Sequence, residues 1–293
     1  MSLRASLGLW IACFLWAISF IATKVALEGA PPLSLVALRL LISAGCFALW
    51  FWSRGRGIPW PGRETMGKLF VLSLLGTGLH YGIQTIGLRY TTASNASIYA
   101  VTGPVSITLI AALWLGERLT ARKAIGISIA LAGVFWVMGW ESLREFNLEG
   151  HLLGDVLVFG SIMLWAGFTV YGKSLMEERG AMEVIGLTTI IGAVWMIPVA
   201  FVEMVALGFS PLGMSWEAWA AIGFLGVTCS FMATLLYFMA LHATESQKVA
   251  VYLYTIPPMT YLAAALYLGE HIGLNLIGGS LLILAGVYLT ERG

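Results

Sequence analysis

Apolar runs of roughly 17–25 residues follow one another along all 293 residues, near 7–27, 33–52, 68–88, 94–115, 121–139, 152–173, 183–207, 217–241, 247–268 and 273–290. That is the length an α-helix needs to cross the hydrocarbon core of a bilayer. Lipid offers no partners to backbone amides, so spanning segments of this length must be helical. Charged residues make up 11% of the chain and hydrophobic ones 59%, whereas soluble domains carry about 25% charged residues. Too few polar side chains remain to cover a water-facing surface. The expected fold is therefore an all-α integral membrane protein of ten transmembrane helices. Short links such as Glu28-Gly29-Ala30-Pro31-Pro32 and Gly116-Glu117-Arg118 separate the runs. The first run, Leu7–Val25 after Arg4, lacks a clear cleavage site and reads as a spanning helix rather than a signal peptide.

Basic residues sort by link. With the N-terminus inside, Arg4, Arg54, Arg56, Arg63, Lys68, Arg118, Arg122, Lys123, Lys173, Arg179, Lys248 and Arg292 fall on the cytoplasmic side, against Lys24, Arg89 and Arg144 outside. The positive-inside rule then places both termini in the cytoplasm of a multi-pass protein. Trp10, Trp50, Trp52, Trp60, Trp136, Trp140, Trp216 and Trp219 lie near predicted helix ends, where an aromatic belt belongs. A net charge of +1 argues against a nucleic-acid partner. Cys13, Cys46 and Cys229 sit in apolar segments without metal-ligand spacing, so neither a disulfide framework nor a metal site is expected.

The two halves resemble each other. Leu15-Trp16-Ala17 and Lys24 recur as Leu164-Trp165-Ala166 and Lys173, an offset of 149. Thr91, Tyr99, Pro104, Leu115-Gly116-Glu117 and Ala132-Gly133-Val134 recur as Thr244, Tyr252, Pro257, Leu268-Gly269-Glu270 and Ala285-Gly286-Val287, an offset of 153. The expected repeats span 1–143 and 151–293. Five helices per repeat is an odd number, so the second copy enters the membrane from the opposite side. Such inverted repeats let secondary transporters alternate access around a central site.

The Leu-Trp pair of helix 1, Arg39 in helix 2, Pro104 with Leu115-Gly116-Glu117, and the second copy with Trp165, Pro257 and Gly269-Glu270 resemble the EamA-type repeat of the drug/metabolite transporter superfamily. The resemblance covers essentially the whole chain. It implies ten helices around a central cavity lined by helices 1, 3, 4, 6, 8 and 9, and an affinity of character with bacterial exporters of amino acids, aromatic ones included. Arg39 has no counterpart in helix 7, where Met196 and other apolar residues stand.

Polar residues keep helical spacing. Thr77, His80, Tyr81 and Gln84 lie at i, i+3, i+4 and i+7 in helix 3, and Asn95, Tyr99, Thr102 and Ser106 share a face of helix 4. The offset of 153 carries these stripes to Ser230, Ala233, Thr234 and Tyr237, and to Lys248, Tyr252, Thr255 and Met259. Polar groups are costly toward lipid, so both stripes should face the interior. The hydroxyls of Thr102, Ser106, Thr234 and Thr255 read as helix–helix glue. Trp16, Thr77, His80, Tyr81, Gln84, Tyr99, Trp165, Tyr237 and Tyr252 are the substrate-binding candidates. For Trp16 and Trp165, packing is an equal alternative to stacking on substrate.

His80 stands near mid-membrane, whereas His151, His242 and His271 lie near helix ends. It is open to three readings: a neutral hydrogen-bonded histidine, a substrate contact or a proton carrier. Arg39, some seven residues inside helix 2, reads as structural. Lys24 and Lys173 read as snorkelling anchors. Glu117 and Glu270 read as structural carboxylates facing the N-terminal ends of helices 5 and 10. Pro104 and Pro257, with Pro258, should kink helices 4 and 9. Gly78-xxx-Gly82 invites close helix approach, and the sequon Asn95-Ala96-Ser97 is discounted as membrane-embedded.

No HExxH motif, paired carboxylate cluster or GxSx motif with a helical histidine partner is present, so the chain does not read as an enzyme. The expectation is a secondary transporter, without cofactor, exporting amino acids and related metabolites across the inner membrane as a monomer among lipids. Other small metabolites or lipophilic cationic drugs are the alternative cargo. An intramembrane enzyme and a structural module rank below.

Overall fold

The computed structural model describes residues 1–55, 57–91, 99, 101–144, 152–260, 262 and 274–293. The chain is all-helical among these residues. In chain order the helices are α1 (Leu3–Gly29), α2 (Pro32–Ser53), α3 (Arg63–Tyr90), α4 (Thr102–Trp114), α5 (Ala121–Arg144), α6 (Leu152–Arg179), α7 (Ala181–Leu207) and α8 (Trp216–Ala243). A broken helix follows, α9, which starts as Ser246–Ala250 and tightens to a 3₁₀ turn at Val251–Thr255. The last is α10 (Leu274–Arg292). Six of them, α1, α2, α3, α6, α7 and α8, are long and apolar enough to span a membrane. Glu270 and Asn95 lie outside the described residues.

The helices begin and end where their sequences provide for it. Ser2 caps α1 through the amide of Ala5, and Ser215 caps α8 through that of Ala218. Pro32, with no amide to leave unpaired, opens α2. A single residue, Gly180 at φ 82°, turns α6 into α7; a positive φ there strains any residue with a Cβ.

Two helices contain a π segment, where the hydrogen bonds skip one residue further than in an α-helix. These are Leu74–Gly78 in α3 and Leu225–Ala233 in α8. Adding 153 to the first gives 227–231, inside the second. Side-chain hydroxyls take up carbonyls around both, Thr77 on Ser73 O at 2.7 Å and Thr234 on Cys229 O at 3.0 Å. In α9 the tightened turn ends just before Pro257 and Pro258, whose missing amides cannot continue an α-helical ladder. Pro104 falls in the first turn of α4 as described, where an absent amide leaves nothing unpaired.

Glycines set the closest approaches. A Cβ on Gly126 would lie 2.8 Å from Gly286 O, and one on Gly133 would lie 2.8 Å from Gly279 O. These four pair α5 with α10 in antiparallel sense, and 126 and 279, like 133 and 286, differ by 153. A Cβ on Gly78 would meet the ring of Trp195 of α7 at 1.9 Å, while Gly82 leaves room for Leu33. The exposed Trp52, Trp60 and Trp216 lie at or near helix ends, whereas the exposed Trp136 lies two turns inside α5.

Candidate functional site

An aromatic cluster joins both halves of the chain where α1, α3, α6 and α8 meet. Trp16 and Trp165 stand edge to face with ring centroids 5.6 Å apart. Tyr237 lies 5.2 Å from Trp16 and 6.0 Å from Trp165. Phe168 and Phe238 back Trp165 at 5.5 and 5.8 Å. Trp165 and Phe168 share a face of α6 because they are three residues apart. At these separations the rings touch, each pair adding about 0.5–1.5 kcal/mol beyond its buried area. The cluster brings together side chains of α1, α3, α6 and α8, four of the helices that the family resemblance puts around a central cavity.

Polar groups line one flank. His80, 7% exposed, packs 5.1 Å from Trp165, and its Nδ1 is 2.8 Å from Ser161 O. A carbonyl only accepts, so Nδ1 carries the proton, and in the neutral ring Nε2 is left as the acceptor. The ring of Tyr81 lies 4.9 Å from that of His80 and takes the Arg39 guanidinium over its face at 4.1 Å. Arg39 Nε donates to Ser230 Oγ at 2.9 Å, within the π segment of α8. One residue earlier, Cys229 O accepts from Trp16 Nε1 at 3.4 Å. Gly226 makes this approach possible, since a Cβ there would sit 3.0 Å from Arg39 O.

Of the nine substrate-binding candidates, Trp16, His80, Tyr81, Trp165 and Tyr237 come together. Thr77 is buried one turn away, bonded to its own helix and facing Gly192 of α7. Gln84 is half-buried further along α3. Tyr99 packs against Phe159 at 6.1 Å. Tyr252 is buried near the start of α1, against Trp10 at 5.6 Å and hydrogen-bonded through Oη to Ser6. Ser230 was legible as part of the polar stripe, and Phe168 and Phe238 as neighbours of candidates. The carbonyls of Cys229 and Ser161 carry no sequence signal. Cavities of about 180 Å³ beside Trp10, Thr255 and Pro258, and about 270 Å³ beside Leu75, Trp114 and Tyr171, lie away from the cluster.

A buried ion pair ties α6 to the link between α4 and α5 and to the start of α9. Lys173 is not the snorkelling anchor its sequence position suggests: it is 8% exposed, and its Nζ binds Glu117 Oε1 at 2.8 Å and Thr244 O at 2.7 Å. Glu117 caps the start of α9, accepting from Ser246 N at 2.9 Å and Ser246 Oγ at 2.8 Å, rather than facing α5. Burial would raise the Glu117 carboxyl, but the hydrogen bonds from Lys173 and Ser246 outweigh it and hold it below its ordinary value. Lys24, at the equivalent place in the first half, is exposed. Glu203 of α7 caps α2 through Leu33 N and Ser34 N at 3.2 and 2.7 Å. Among the described residues no cluster of three or more His, Cys, Asp or Glu side chains could hold a metal.

Comparison with known proteins points one way. The sequence profile described as the EamA-like transporter family matches residues 3–139 and again 152–292. An uncharacterized transporter of Archaeoglobus fulgidus is 33% identical over 99% of this chain and 98% of its own. A "probable terminal-alkyne amino-acid exporter" of Streptantibioticus cattleyicolor is 24% identical over 99% and 94%. A solved crystal structure, 19% identical, superposes with a TM-score of 0.81 over 98% of this chain and 97% of that one; it shares the fold.

Proposed function

The chain belongs to the EamA-like transporter family and is a multi-pass membrane protein, and from that premise we propose that it exports amino acids with apolar or aromatic side chains across the inner membrane. The observation that carries this reading is the aromatic cluster of Trp16, Trp165 and Tyr237, flanked by His80 and Tyr81. Rings give an apolar side chain a stacking surface, and the polar flank orients the charged end. A relative of this chain named as an amino-acid exporter supports the same substrate class.

The mechanism is alternating access between two inverted five-helix repeats, 1–143 and 151–293, ten spans in all, with both termini cytoplasmic. The reciprocal glycine contacts of α5 and α10 support the symmetry: symmetry mates 126 and 279, 133 and 286, exchange partners as a two-fold axis in the membrane plane requires. Lys173 buried on Glu117, with its symmetry mate Lys24 exposed, supports a state closed at the cytoplasmic end. The rings of the cluster separate to admit substrate, and the π segments of α3 and α8 supply backbone that can re-register there.

Flux of labelled tryptophan, methionine and threonine in proteoliposomes, with and without a pH gradient, tests the reading. Saturable flux is expected, lost in Trp165→Ala and reduced in His80→Ala while thermal unfolding shows both folded. Flux no higher than in empty vesicles for all three would sink it.

A further inference from the structure

Arg39 is a cation buried in the bundle with no anion beside it among the described residues. It is 5% exposed, and the ion pairs among the described residues are Lys68–Glu64, Lys123–Glu245, Lys173–Glu117 and Arg179–Glu183. Among the described residues the buried Asp155 is engaged with the Thr91 hydroxyl, and the partly buried Glu117 and Glu203 cap helix starts. A buried charge is costly unless compensated, and removing only one of its partners is strongly unfavourable. The Arg39 guanidinium makes one hydrogen bond among the described residues, from Nε to Ser230 Oγ, and lies over the face of Tyr81. Its two terminal nitrogens, a planar fork shaped for a carboxylate, meet no acceptor among the described residues. A second polar group close by, Tyr237 Oη, is fully buried and makes no hydrogen bond of normal geometry.

Both groups adjoin the stacking cluster. Ser230, which holds Arg39, follows the residue whose carbonyl holds Trp16. Tyr81, under the guanidinium, leads through His80 to Trp165 in ring contacts of 4.9 and 5.1 Å. We propose that Arg39 is the specificity residue that receives the carboxylate of the substrate, whose apolar side chain lies among Trp16, Trp165 and Tyr237. This rests on the export reading above and narrows it: the cargo carries a carboxylate, and a cargo that is only cationic is repelled. Helix 7 has no matching arginine, so the anion is held from one repeat only, whichever side is open.

The test compares four ligands in proteoliposomes: tryptophan, its amide, tryptamine, and indole-3-propionate, which has the carboxylate without the amine. The native chain should carry tryptophan at least about 30-fold faster than the amide or tryptamine, the loss typical of removing one partner from a buried charged hydrogen-bonded pair. Arg39→Gln should lower tryptophan to the level of the amide, and Arg39→Lys should restore part of the preference. A purely structural arginine would lower stability and leave the ligand ranking unchanged. Equal flux of tryptophan and tryptamine in the native chain overturns the proposal and leaves amino-acid export standing; that comparison needs no variant to fold. Flux of indole-3-propionate without tryptophan does the reverse. Flux of tryptamine alone, or of none of the four, overturns both.

Discussion

Lys173 Nζ and Glu117 Oε1 lie 2.8 Å apart with both side chains about nine-tenths buried, tying the end of α6 to the link between α4 and α5 and, through Ser246, to the start of α9. Three separate segments of the bundle meet at one carboxylate. Such a contact can close a pathway because it is complete or absent, with little between.

Removing one partner should expose that dependence. Lys173→Met or Glu117→Gln leaves the other group buried without its charge partner, and about 3–5 kcal/mol of stability should be lost. The double variant should lose less than the sum of the two. Thermal unfolding in detergent, arranged as a double-mutant cycle, reads both quantities.

Acid should loosen the same contact. The Glu117 carboxyl is held below its ordinary value of 4.5, so the folded state binds a proton there less readily than the unfolded state. Its stabilisation is fully present above pH 4.5 and is lost as pH falls through the lowered folded value. The unfolding midpoint of the native chain should drop on acidification below pH 4.5 by more than that of Glu117→Gln, followed by intrinsic fluorescence. Parallel acid profiles for the two proteins would contradict this.

The seam between α5 and α10 should tolerate no side chain. At Gly133 an added Cβ would meet the carbonyl of Gly279 at 2.8 Å, and backbone cannot rotate aside as a side chain does. Gly133→Ala should cost about 1–3 kcal/mol by overpacking, and Gly133→Val more. Gly45→Ala, inside α2 where nothing lies within 4 Å, should not lower the midpoint in the same melting experiment and should raise it slightly, by removing the cost of glycine in a helix.

Trp16 contacts its neighbours in two ways, by its ring on Trp165 and Tyr237 and by its N–H on Cys229 O. Trp16→Phe keeps an aromatic face but releases the bond to Cys229 O, a loss of about 0.5–1.5 kcal/mol. Flux of an apolar amino acid should survive in Trp16→Phe and be lost in Trp16→Ala. Equal loss in both would assign the function to the hydrogen bond instead of the stacking face.

Much of the fold was legible because bilayer physics is one-dimensional. Length and apolarity alone decide which segments span, and α1, α2, α3, α6, α7 and α8 follow the predicted runs. The spacing of His80, Tyr81, Ser230 and Tyr237 gave their shared faces, because helical geometry converts intervals into directions. The EamA resemblance rested on Trp16, Trp165, Pro104 and Glu117 and holds over both halves of the chain.

Other features depended on which helices neighbour each other, and no interval encodes that. Lys173 read as a surface anchor until α6 was placed against Glu117 and Thr244. Thr77 shares a stripe with His80 and Tyr81, yet lies apart from the cluster, because a stripe runs the length of a helix while a site occupies one level of it. Arg39 reads as structural from its own helix; the packing of α2 on the π segment of α8 adds its bond to Ser230 and, among the described residues, brings no anion to its guanidinium fork. The sequence by itself determined the six long apolar helices and the interior face of His80, Tyr81, Ser230 and Tyr237, since these follow from local geometry and the solvent. Only the tertiary structure decided which buried charges found partners, since pairing energies depend on distances between segments far apart in the chain.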